Sequence, residues 1–252
     1  MVKFFDEIPP HVLQWIEKQH MFTVATAPLA ADGHVNVSSK GVGGTFHIVN
    51  NRKVWYEDLT GSGSETIAHL RENGRITIFF NAFEGPPMIC RLFGTGLVHE
   101  FATPEYDAYI PPDKRTPGSR SVIVVDVHKV ATSCGFAVPF YDFVGHRDTL
   151  LSSGTRKELA DLNALDGRGE GGLKAYWENN NTRSIDGLSA LQFAHKSDRV
   201  ADATRDFSRF GVVTRKKGER RNIGGEEMKL MLLAFLFGAI VSAFFARLLR
   251  GC

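Results

Sequence analysis

The chain has 252 residues, enough for one substantial core with appendages. Composition is that of an ordinary globular protein, and a formal charge of +2 gives no electrostatic case for nucleic acid as a partner. Cys90, Cys134 and Cys252 form no CxxC pair, and the nine histidines show no HExxH-like spacing, which argues against a disulfide scaffold and against a metal site.

The N-terminal MVKFFDEIPP lacks the apolar stretch of a secretory signal. Residues 8–20 predict a helix, with prolines where a missing N–H does no harm and an apolar stripe of Val12, Leu13, Trp15 and Ile16. Segments 21–28 and 34–41 flank a turn at 31–33 and predict a hairpin. A strand over 54–59 leads into a short helix over 64–72, which stops near Asn73-Gly74. Residues 75–83 and 88–101 predict further strands, the second bulged or bent at Gly94 and Gly96. Residues 104–120 read as irregular or weakly helical, and 121–133 as the clearest strand of the chain. Strands and helices do not alternate regularly, so a twisted antiparallel sheet closed into a small barrel fits better than a doubly wound parallel sheet.

Beyond Leu150 two short helical pieces joined by glycine-rich turns are expected, and 198–227 reads as a polar linker. The run LMLLAFLFGAIVSAFFA (230–246) carries no charge and is bounded by Lys229 and Arg247. Its length matches the roughly 20 residues that span a bilayer. It predicts a membrane helix over 228–250, and the basic block TRKKGERR (214–221) before it predicts a cytosolic main body. The expected organisation is a barrel domain over 1–150, a helical extension over 151–197, the linker, and a C-terminal tail anchor.

The stretch EDLTGSGSETIAHLREN (57–73) concentrates small hydroxyl and glycine residues where a strand meets a helix. A helix start offers unpaired N–H groups and a positive dipole end, serine and threonine add donors, and glycines permit close approach. Together they predict a phosphate cradle, whereas a single serine cap would not require so many. Neither GxxxxGK[ST] nor GxGxxG is present, so a nucleotide-binding α/β fold is not indicated.

The order GHVNVSSKG, then VWYEDLTGSGSETIAHLRENGRITIFFNAF, then ICRLFGTG resembles the pyridoxamine 5'-phosphate oxidase-like family of FMN-binding split barrels over about residues 8–135. YWENNNTRSIDGLSAL (176–191) is similar to the tail of a subgroup of that family. The resemblance implies a mainly β (α+β) fold, a six-stranded antiparallel split barrel with flanking helices, here joined to the single transmembrane helix expected above. It also implies a homodimer with FMN in clefts between subunits. Asn36, Val37, Ser38, Ser39 and Lys40 would run beside the flavin. Thr60, Gly61, Ser62, Ser64 and Thr66 would cradle its phosphate, Arg91 would lie near ring or phosphate, and Tyr56, with Trp55, would line the site. Where oxidases of the family place an Arg-Lys pair, this chain has Glu65 and Thr66. That departure admits a deazaflavin, or no cofactor, in place of FMN. The activity implied is an FMN-dependent oxidoreductase on an unidentified small molecule. A non-enzymatic flavin- or tetrapyrrole-binding or dimerisation module of the same fold is the alternative. No catalytic residue can be named, and for catalysis His47, His69, Tyr56 and Cys134 read as structural.

Overall fold

A computed structural model describes residues 2–203 and 207–213. In chain order the elements are β1 (Lys3–Phe5), α1 (Pro10–Ile16), β2 (Phe22–Thr26), β3 (Asn36–Lys40), β4 (Phe46–Asn50) and β5 (Lys53–Leu59). They continue with α2 (Glu65–Asn73), β6 (Arg75–Asn81), β7 (Ile89–Glu100), α3 (Pro104–Tyr109), β8 (Ser119–Ser133), α4 (Thr149–Leu162) and α5 (Leu173–Asn180).

All strand pairings between these elements are antiparallel. The hydrogen-bonded path is β3-β2-β6-β7-β8-β5-β4, with β1 on β8. The 15-residue β8 carries β7 on one edge, while β5 takes residues 119–126 and β1 residues 130–132 of the other. One strand with three neighbours is where the barrel splits. The path curls so that β2 and β6 meet β4 and β5 in the core: the ring of Phe22 on β2 lies 4.9 Å from Phe46 on β4 and 5.3 Å from Tyr56 on β5, and Phe46 lies 5.3 Å from Phe80 on β6. These four rings, with Val24, Val54, Ile78 and Leu92, fill the interior.

Local chemistry explains the element ends. α2 stops at Gly74, whose φ of 70° is the left-handed conformation that closes a helix, and its N–H donates to the Leu70 carbonyl. The register of β7 on β8 shifts between Phe93 and Gly94. A Cβ at Gly94 would stand 2.5 Å from Val125 Cγ1 and 2.7 Å from the Asp126 carbonyl oxygen, so only glycine lets the strands approach there.

Two points of the expected architecture are corrected. The sheet has eight strands rather than six; β1 and β4, too short and too mixed in character to stand out in the sequence, complete it. The expected membrane helix finds no support: no helix among the described residues is long and apolar enough to cross a membrane, and the segment 228–250 on which that expectation fell lies outside them. Smaller differences follow from packing. α1 ends at Ile16 rather than at residue 20. Part of 104–120 forms α3, capped by the Thr103 side chain, which accepts from the Tyr106 N–H at 3.3 Å.

Candidate functional site

β3 ends the hydrogen-bonded path, and the loop after β5 turns into α2 beside it. Between them lies a pocket of about 400 Å³ lined by Ser38, Ser39, Lys40, Gly61, Ser62, Gly63, Glu65, Thr66 and Arg120, among others. Two segments that the sequence marked separately, 36–40 and 60–66, thus meet in one place.

Beneath the pocket sits Asp58, with no solvent exposure. Its Oδ1 accepts from Lys40 Nζ at 2.8 Å and its Oδ2 from Arg120 Nε at 2.7 Å. Burial pushes the Asp58 carboxyl up, but Arg120 and Lys40 together outweigh it and hold the group at about 2. Arg120 also donates to the Gly63 carbonyl at 2.9 Å, tying β8 to the loop. Next to Asp58, Glu57 is buried, which raises its carboxyl; it accepts from the Thr116 N–H at 2.9 Å and from the Thr116 hydroxyl.

The loop is braced from far along the chain. Thr60 Oγ1 donates to the Gly118 carbonyl at 2.6 Å and accepts from Trp177 Nε1 at 2.8 Å. Ser64 Oγ donates to the Arg183 carbonyl at 2.9 Å, and Asn181 Nδ2 donates to the Gly61 carbonyl at 3.1 Å. The Ser64 side chain makes no capping bond to its own helix.

The residues expected to bind a cofactor therefore divide. Ser38, Ser39, Lys40, Gly61, Ser62 and Thr66 line the pocket. Of these, Ser39 and Ser62 are exposed, and their hydroxyls bond to nothing else among the described residues. Thr60 and Ser64 support the loop through bonds of their own. Asn36 Nδ2 donates to Thr26 Oγ1 at 3.1 Å and to Thr66 Oγ1 at 3.0 Å, and Thr26 bonds the buried His69 Nδ1 at 3.0 Å, so Asn36 positions Thr66. Burial lowers the His69 pKa. Val37 alternates outward and is exposed. Tyr56 lies wholly in the core, where burial raises its phenol well above the ordinary value, and Lys40 Nζ stands 5.9 Å from its ring centre. Arg91, on β7, stacks over the Phe79 ring at 5.1 Å and does not line the pocket.

Sequence reasoning missed Asp58 and Arg120. The only sign was an acidic pair ending an otherwise apolar strand and an arginine opening another. It also missed Trp177 and Asn181, which nothing local connects to residue 60.

The pocket opens beside a larger cleft of about 1210 Å³ that shares Ser39, Lys40, Gly41, Val42 and Leu150 with it. Several aromatic rings line this cleft. His20 stacks on Phe143 at 3.6 Å between ring centres, His146 meets Phe143 at 4.9 Å, and Phe83 meets Tyr141 at 5.2 Å. Burial, with the nearby His20 adding, lowers the His146 pKa.

These features define an antiparallel split barrel with a donor-rich pocket at the junction of an end strand and a helix start. Residues 8–134 match the family model described as pyridoxamine 5'-phosphate oxidase. The pyridoxamine 5'-phosphate oxidase family protein ustO of Aspergillus flavus is 39% identical over 200 residues, which cover 76% of this chain and 78% of the relative. The chain belongs to the pyridoxamine 5'-phosphate oxidase family. Among solved structures, HupZ of Group A Streptococcus is 22% identical with a TM-score of 0.40, covering 49% of this chain and 91% of its own. The protein related to general stress protein 26 from Clostridium acetobutylicum is 16% identical with a TM-score of 0.36, covering 49% and 86%.

Proposed function

We propose that this chain is an FMN-dependent oxidoreductase acting on a small molecule, working as a homodimer. The observation that carries the reading is the convergence of β3, the 60–66 loop and Arg120 on one pocket, in a chain whose family pairs this fold with flavin chemistry.

The donor set fits an anionic group. Lys40 and Arg120 supply positive charge, Ser39 and Ser62 supply uncommitted hydroxyls, and a Cβ at Gly61 would meet nothing within 4 Å, leaving room at the backbone. FMN, when bound, supplies the hydride and electron transfer. The protein's part is to bind and orient. Asp58 fixes the ammonium of Lys40 and the guanidinium of Arg120 at the pocket floor, and Asn36 fixes the Thr66 hydroxyl. The adjoining cleft offers a largely apolar surface where a ring and a substrate can lie together with water displaced.

Purified full-length protein should be yellow or become so with FMN, and should release FMN, identified by mass spectrometry, on denaturation. Oxidation of a reduced nicotinamide or consumption of dioxygen in the presence of candidate substrates marks the enzyme. Bound flavin without turnover in any such assay marks a carrier instead. A colourless protein that takes up no flavin at micromolar concentration refutes the reading.

A further inference from the structure

The pocket contains an anion of its own. Glu65, the first residue of α2, folds back over the start of its helix. Its carboxyl carbon lies 3.2 Å from where a Cβ of residue 63 would stand, so the group occupies the space that Gly63 leaves open. Its Oε1 accepts from the Ile185 N–H at 3.3 Å, which fastens it to the turn that also takes the Ser64 hydroxyl bond through Arg183. Glu65 lines the pocket together with Ser62, Lys40 and Arg120.

The charges nearest this space make the consequence definite. The two cations already share one carboxylate, Asp58. Glu65, with the buried Glu57, adds further carboxylates to the lining that Lys40 and Arg120 share, before any ligand arrives. An incoming phosphate monoester, carrying close to two negative charges, meets a group of like sign beside Gly63 in the lining of the pocket.

We propose that Glu65 is a specificity-determining residue whose carboxylate holds the phosphate seat of the pocket, so that a phosphorylated flavin binds only by displacing it and gains little over its unphosphorylated counterpart. This rests on the flavin reading above and deepens it. Glu65 takes no part in the chemistry; it sets which form of the cofactor the site retains.

The test compares FMN with riboflavin by quenching of flavin fluorescence, in wild type, Glu65→Gln and Glu65→Ala. Glutamine keeps the side chain's length and its bond to Ile185 without the charge, and alanine vacates the space. Urea denaturation and far-UV circular dichroism establish that each variant is folded. The expected result is a ratio of FMN to riboflavin affinity that rises about tenfold in both variants, with riboflavin itself little changed. Inorganic phosphate should also compete with FMN more effectively in the variants than in wild type. A ratio that stays the same in wild type and both variants, with FMN bound in all three, overturns the role of Glu65 and leaves the flavin site standing. Failure of both flavins to bind any of the three proteins removes the flavin site and this inference together.

Discussion

Asp58→Asn is the substitution that tests the site most directly, because it keeps shape and removes one buried charge. In the wild type the carboxylate is wholly buried between Lys40 and Arg120, and the Arg120 side chain is only 4% exposed. Removing one partner of such a group leaves the others buried without compensation, at roughly 3–5 kcal/mol. For a body of this size that corresponds to a fall in Tm of roughly 6–20 °C. The pH dependence separates this effect from loss of packing. The Asp58 carboxyl is lowered from 3.8 to about 2, so ionisation contributes about 2–3 kcal/mol of stability that is fully present above the unfolded pKa. That contribution is lost as pH falls through the folded pKa, about half of it by pH 3. Urea denaturation of wild type and variant at pH 7, 4 and 3 measures it. The gap between the two proteins should be largest at pH 7 and 4 and narrower at pH 3. A variant within 1 kcal/mol of wild type at pH 7, or a gap that does not change with pH, refutes the account of Asp58 as a buried anion shared by two cations.

Lys40→Ala should weaken FMN by about tenfold or more and riboflavin little, since charge-assisted bonds are worth roughly 1.5–3 kcal/mol; equal losses for the two flavins would remove Lys40 from the phosphate. Trp177→Phe keeps the ring packing against Phe101 but deletes the bond to Thr60 Oγ1, and should cost about 1–2 kcal/mol in urea denaturation, an unchanged midpoint counting against the brace. Gly94→Ala should destabilise by about 1–3 kcal/mol, because its Cβ would meet the Val125 side chain and the Asp126 backbone; a neutral outcome in thermal melts would mean that β7 and β8 can part at the bulge without cost.

The strands from Phe22 to Ser133 were readable where β-branched and aromatic residues ran for five or more positions, as in β6 and β8. β1 and β4 escaped because a three-residue or half-polar strand takes its identity from its partner, not from its own pattern. The loop at 60–66 was readable as an unusual helix start, since that signal is local. What its hydroxyls do was not. Thr60 and Ser64 look equivalent to Ser62 in sequence, yet their partners, Trp177 and Arg183, lie 117 and 119 positions away. The same holds for Asp58 and Arg120, 62 positions apart, whose pairing turns two unremarkable charges into the floor of the pocket. Lys40, by contrast, lies within the segment GHVNVSSKG that carried the resemblance, and it does line the pocket beside the loop. Arg91 met the motif but stands on β7, with its guanidinium committed to Phe79.

The distant bracing of the loop also orders events as the polypeptide leaves the ribosome. Every strand of the barrel has been made once Ser133 is out. The bonds that set residues 60–65 in place wait for Trp177, Asn181, Arg183 and Ile185. The binding loop is therefore shaped by the part of the chain made last, and a chain cut after β8 would lose those contacts together with Leu173, Trp177 and Ala190 of the shared core.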